Sequence, residues 1–314
     1  MQSRHFLASF LLLCLALLFL PACSQPGAVL TGTPVAAIEP TQSQIAPTLG
    51  LPVATASLAA PVAQVETPTP IVSPDVYAVV DVALDAALNV RSAPGADSPV
   101  LGSIPPYGMG VQIIGPEQHM GGEQWAPVRF GKLEGWVKTA HLARQVGAAD
   151  EAVAIRAIEA IQALKSRDLE ALASLVHPEK GVRLSPYSFV RRDDLIFYQE
   201  QIPGLWADPT IYRWGNYDGS GMPIELSFEV YYLEFIYDVG FARPYTLGFN
   251  ATVGRGNSIN NLSEAYPEAA FVEFHFAGFD PQYEGMDWRS LRLVFEQVNG
   301  AWFLVGVVHD EWTI

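Results

Sequence analysis

Leu88-Asn89-Val90-Arg91-Ser92-Ala93-Pro94-Gly95 sets a short alternating apolar and polar run against a Ser-Ala-Pro-Gly turn. Val100-Leu101-Gly102, Trp125-Ala126-Pro127-Val128 and Gly135-Trp136-Val137 repeat the same plan further on. Runs this short, with turn residues between them at regular spacing, bury too little for an open sheet and favour a small closed one. The expected strands are residues 77–84, 100–104, 110–114, 124–130 and 135–137, which predicts a small all-β barrel over 76–146.

Downstream the periodicity changes. Asp150 is placed to cap a helix in which Ala154, Ile158, Ile161 and Leu164 share one face, and Asp168 to cap a second, lined by Leu169, Leu172, Leu175 and Val176 and closed by Pro178. A further helical stretch is expected at 194–201, and strands at 225–235, 245–253, 270–277, 290–298 and 302–309. Asn299-Gly300 between the last two is a strong two-residue hairpin signal, because both residues tolerate the positive φ that such a turn requires. Helices followed by a long antiparallel sheet give an α+β plan for 150–314, so the chain reads as multidomain, with Gly147-Ala148-Ala149 at the join.

Upstream, residues 24–75 contain nine prolines and no aromatic or basic residue. Such a segment lacks the apolar bulk to offset chain entropy and is expected to be a disordered tether, about 40 Å across as a coil and about 160 Å as extended polyproline II. Residues 6–20 form an apolar run behind Arg4, the pattern of an export leader. The chain has two cysteines, Cys14 inside that leader and Cys23 just after it, so the exported part has no pair for an internal disulfide. Of 314 residues, 33 are acidic and 18 basic, a net charge of −15, which argues against nucleic acid as a partner. The excess is uneven: 24 acidic and 12 basic residues fall in 150–314, against six and five in 76–149.

Three resemblances follow from these residues. The ordered pieces from Leu88 to Val137 resemble the bacterial SH3-like domain over 76–146, with Pro105-Pro106-Tyr107-Gly108 departing from the family's simpler turn. That resemblance implies an extracytoplasmic module contacting peptidoglycan or an envelope peptide or protein, without catalytic residues of its own. Leu20-Pro21-Ala22-Cys23 resembles the lipobox of bacterial lipoproteins, which implies cleavage before Cys23, acylation of its thiol with palmitate-type chains, and attachment to the membrane through the N-terminal lipid. The helices-then-strands order of 150–314, ending in Gly285-Met286-Asp287-Trp288-Arg289 and His309-Asp310-Glu311-Trp312, resembles the nuclear transport factor 2-like fold of bacterial lipoprotein domains, a cone of helices on a curved antiparallel sheet.

Site candidates divide between the two parts. Tyr107 and Trp125 are the aromatic binding candidates of the barrel, whereas Trp136 is expected in its core, Asn89 and Arg91 as ties for loop backbone, and His119 as a solvated loop residue. Glu273 and His275 share a strand face and could form an orienter and a base inside the cone, although an exposed face explains the same pattern and is the favoured reading. His309 and Asp310 are adjacent and point opposite ways, and His177 is expected to cap a helix end in its protonated form. Asn216, Asp218, Ser220 and Gly221 imitate half a calcium loop, but Ser227 stands where the closing glutamate belongs, so a turn is expected. No cofactor motif is present. The reading is a lipid-anchored envelope binding protein without a catalytic site, with a carrier or enzyme built inside the cone as the alternative.

Overall fold

A computed structural model describes residues 75–313. Cys23, the export leader and the proline-rich tether lie outside the described residues.

The first β region comprises β1 (Val76–Val79), β2 (Leu88–Arg91), β3 (Val100–Ile104), β4 (Val111–Ile113), β5 (Gln118–Met120), β6 (Glu123–Phe130), β7 (Leu133–Lys138) and β8 (Leu142–Val146). Its core is Val79, Val82, Leu88, Val90, Ile104, Val111, Ala126, Val128 and Val137. Residues 77–84 were expected as one strand, but Asp81 adopts φ 53° and ends the extended run. His119 sits in exposed β5 rather than in a loop, held by the β6 ladder.

Residues 150–313 begin with α1 (Glu151–Ser166) and α2 (Leu169–Leu175). Asp150 caps α1 by accepting from the amides of Ala152 and Val153, and Asp168 caps α2 by accepting from Ala171 N, each satisfying amides the helix cannot. Next come β9 (Val182–Ser185), β10 (Ile196–Phe197), β11 (Tyr212–Asn216) and β12 (Pro223–Leu226). The helix expected at 194–201 is absent: Ile196 and Phe197 pair with β9, and a 3₁₀ turn follows at Ile202–Ala207. The calcium-like segment is the turn between β11 and β12, with Tyr217 N donating to Met222 O at 2.8 Å.

The strand expected at 225–235 divides. Only its start lies in β12, and Ser227 then caps α3 (Phe228–Phe235). Phe228, Tyr231, Tyr232 and Phe235 are the buried positions, a helical spacing that the run of aromatics hid from an alternation reading. Tyr231 stacks on Trp214 with ring centroids 3.7 Å apart, which locks α3 against β11.

The remaining elements are β13 (Thr246–Phe249), α4 (Leu262–Ala265), β14 (Ala270–Phe276), β15 (Arg289–Val298) and β16 (Ala301–Glu311). Asn299 and Gly300 adopt φ 50° and 84° and join β15 to β16 as the sequence indicates. Strands β13 to β16 form one antiparallel sheet. Val272, Phe274, Leu291, Leu293, Phe295 and Val307 on its inner face pack into the same core as α1, α2 and α3. The outer face is covered by the segment from residue 250 to 266, through contacts such as Leu262 with Val294 and Val308.

The two regions meet along hydrogen-bonded backbone. β8 pairs parallel with β13, so the sheet continues from one region into the other past the join at 147–149. On β1, Val79 belongs to the first core while its neighbours Ala78 and Val80 belong to the second.

Candidate functional site

The first β region carries a groove of about 240 Å³ between the loop after β1 and the ends of β2, β6 and β7. Trp125 lies against it but is only 2% exposed; its Nε1 donates to Met120 O at 3.2 Å, and Lys138 Nζ sits 5.9 Å from the ring centroid. Trp125 therefore supplies a fixed apolar wall rather than a projecting contact. Trp136, expected in the core, is half-buried on β7 instead. Ala126, Val128 and Val137 take the inward phase of β6 and β7, so Trp125 and Trp136 both lie on the outer face, where the β5 hairpin covers Trp125.

The groove's two ends carry different charged residues, and at the first the acid is already paired. At one, Asp81 is bound by Lys165 Nζ at 2.5 Å and Arg243 Nε at 3.0 Å. Burial pushes the Asp81 carboxyl up, and the two cations outweigh it, holding the group below the usual carboxylate range and ionised. At the other end stand Arg91 and Lys138, with His141 beside them, its Nδ1 3.2 Å from Val80 O. Lys138 also holds Glu123 at 3.0 Å and lowers that carboxyl. Arg91 ties its loop as expected, donating to Ser98 O at 2.7 Å, whereas Asn89 is exposed in the groove. Tyr107 is half-buried in the turn before β4 and does not line the groove, so the structure does not bring Tyr107 and Trp125 together.

This region can be compared with known families. Residues 86–143 match the family model for the bacterial SH3 domain. No curated protein and no solved structure matches the chain. The matched SH3 segment runs from just before β2 to the start of β8, so it contains the groove's Leu88, Asn89, Arg91, Trp125, Lys138 and His141. Asp81 lies just ahead of it. The chain thus carries a domain of a binding type, and no described helix is long and apolar enough to cross a membrane.

Beyond the SH3 region, Glu273 and His275 occupy the outer face of the sheet, turned away from the helices. Neither is exposed as favoured from the sequence: Glu273 is fully buried beneath the backbone at 253–254, and His275 nearly so, its ring 5.9 Å from that of Trp288. Glu273 accepts from Val253 N at 3.1 Å, Gly254 N at 2.7 Å, Ser290 Oγ at 2.6 Å and Arg292 Nε at 2.9 Å. Ser290 Oγ also lies 2.9 Å from His275 Nδ1, so the hydroxyl stands between the presumed base and its orienter. Arg292 reaches on to Asp310 at 2.7 Å. Burial lowers the His275 pKa and raises that of Asp310, the latter partly offset by Arg292.

These groups cannot serve a site inside a cone. The space between sheet and helices is an apolar remnant of about 10 Å³ lined by residues such as Leu164, Leu205 and Phe228. His309 and Asp310 do face opposite ways: His309 Nε2 lies 3.3 Å from Asp238 on the inner face. His177 is 4% exposed, and its Nδ1 accepts from the amides of Glu179 and Lys180, so it organises the turn after α2 as an acceptor rather than as a cationic cap.

Asp81, Lys138, Arg292 and Ser290 escaped the sequence reading, and Asp310 was weighed there only as a partner for His309. For Arg292 and Asp310 a signal existed: each charge interrupts an apolar run in a hairpin whose register Asn299-Gly300 fixes, and that register sets Ser290 opposite Asp310. Asp81 and Lys138 carry no comparable mark, since an acid or a lysine at a strand end is ordinary.

Proposed function

We propose that the chain is a lipid-anchored protein of the bacterial cell envelope that works without catalysis, with the groove of its SH3-like barrel contacting a wall or envelope peptide. The observation that carries this is the groove in the matched region, walled by Trp125, with Arg91 and Lys138 at one end. The carboxylate of a short peptide meets Arg91, which has no acidic partner among the described residues, with Trp125 as the apolar wall beside it. The residues Leu20-Pro21-Ala22-Cys23 support membrane attachment through acylated Cys23, and the long tether supports action at a distance from that membrane. Helices α1 and α2 ahead of the antiparallel strands support a nuclear transport factor 2-like reading of 150–314. The packed interior of that region favours an interaction or positioning role over an enzyme or carrier with its site inside the cone.

The test is calorimetric titration of the exported chain with soluble wall-stem peptides carrying both free termini. Binding is expected, with a loss of about tenfold or more on Lys138→Glu and on Asn89→Trp, which fills the groove. Undiminished binding by both variants would refute the groove as the contact surface.

A further inference from the structure

A second cleft, of about 520 Å³, lies on the outer face of the C-terminal sheet, on the opposite side of that sheet from the helices. Its volume falls in the range of small-molecule sites. Thr252, Arg255, Ser258, Ser263, Phe271 and Asp310 are among its lining residues. Phe271 is partly open, Arg255 and Ser263 are exposed at the rim, and Asp310 is 3% exposed at the base.

The cleft is built rather than incidental. Its wall at Gly254 is fixed from behind by the buried ion network: Glu273 Oε1 accepts the Gly254 amide at 2.7 Å and Arg292 Nη2 donates to the Gly254 carbonyl at 3.1 Å. Residue 254 has to be glycine, because a Cβ there would stand 2.4 Å from Ser290 Oγ and 2.7 Å from the Trp288 ring. Three charged side chains sealed under a loop cost desolvation that an apolar patch would not, so their retention beneath a cleft points to a positioned surface above them. Asp310 belongs to both: Oδ2 holds Arg292, and among the described residues Oδ1 accepts no hydrogen bond.

The chemistry selects the occupant. A free anion such as phosphate would be drawn to Arg255 but repelled by Asp310, and residues 150–314 as a whole carry twice as many acidic as basic residues. A simple cation would face Arg255. What remains is a neutral ligand dense in hydroxyl and amide groups, with one apolar face to lie on Phe271. Sugar rings have that character: their C–H faces pack on an aromatic face, and their hydroxyls bridge carboxylates, hydroxyls and backbone amides. We propose that this cleft is a saccharide-binding site for a neutral glycan segment. It is distinct from the SH3 groove and does not rest on the peptide reading of that groove.

The experiment is saturation-transfer NMR on the exported chain with three probes, chitotriose, cellotriose and maltotriose, followed by titration of any that binds. At least one is expected to bind, with affinity reduced about tenfold or more in Ser263→Trp, which fills the cleft from an exposed position, and in Thr252→Ala to a smaller extent. Asn89→Trp in the SH3 groove is expected to leave the affinity unchanged. Absence of binding by all three probes up to about 10 mM would overturn the proposal, as would binding that survives Ser263→Trp or is lost in Asn89→Trp instead. Circular dichroism of Ser263→Trp, expected to match the wild type, separates a blocked cleft from a misfolded one.

Discussion

The SH3 region and the C-terminal region handle charge in opposite ways. In the first, ion pairs sit in water: Arg129 and Glu134 pair at 2.7 Å with about half of each side chain exposed. In the second, Arg292 and Glu273 pair at 2.9 Å with neither exposed, and Asp310 completes the cluster at 5%. Exposed pairs are screened and contribute little, whereas a buried pair punishes removal of either partner, since the survivor has no water to turn to. The difference teaches where specificity and rigidity reside. The SH3 groove leaves Arg91 without an acidic partner and Lys138 in a solvent-exposed pair, and the C-terminal sheet uses most of its buried charge to hold its own covering loop.

That contrast predicts a graded series. Arg292→Ala leaves Glu273 and Asp310 buried together without a cation and is expected to destabilise the protein by about 3–5 kcal/mol in urea unfolding. A cost below about 1 kcal/mol would mean that water reaches the cluster and would dissolve the contrast.

Asp81→Asn comes next, because it weakens the clasp of Lys165 and Arg243 across the two regions; a loss of about 1 kcal/mol near neutral pH is expected. The sign with pH is fixed by the depressed carboxyl. Its contribution is complete above the unfolded value near 3.9 and disappears as pH falls through the lower folded value, so wild type and Asp81→Asn should converge only in acid, below about pH 4. A constant gap down to the acid limit would show that the charge on Asp81 is not what matters.

His275 gives a smaller effect with the opposite chemistry. Burial lowers its pKa, so below the unfolded value near 6.5 the unfolded chain takes up the proton first, and stability falls as pH drops through that value toward the folded one. His275→Gln should flatten the stability profile between about pH 7 and pH 5. Urea midpoints at several pH values measure it, and an unchanged slope contradicts it. The smallest change belongs to the SH3 surface: Arg129→Ala should alter stability by at most about 0.5 kcal/mol.

The sequence was most legible where local rules govern. Asp150 and Asp168 announce their helices through the amides they cap, and Asn299-Gly300 announces its hairpin through the positive φ both adopt. Legibility failed where tertiary contacts outvote local pattern. Phe228 to Phe235 carry aromatic residues at so many positions that alternation and helical spacing fit equally, and only the stack of Tyr231 on Trp214 and the cap at Ser227 decide for α3. Glu273 looked like a solvent-facing residue because its partners, Gly254, Ser290 and Arg292, come from two other segments, the loop after β13 and β15. The groove's Trp125 was visible, but Asp81 reaches it only through the loop after β1 and is oriented by Lys165 and Arg243, 84 and 162 residues away in sequence.

The most direct measurement is retention of residues 24–314 on purified cell wall across a salt series, comparing wild type with the groove variants Lys138→Glu and Asn89→Trp and the cleft variant Ser263→Trp. The account predicts retention by wild type that weakens with salt, because Arg91 and Lys138 in the groove are cationic. It predicts loss of most of that retention in the two groove variants even at low salt. Retention by both groove variants equal to that of wild type would contradict the claim that the SH3 groove is the surface that meets the wall.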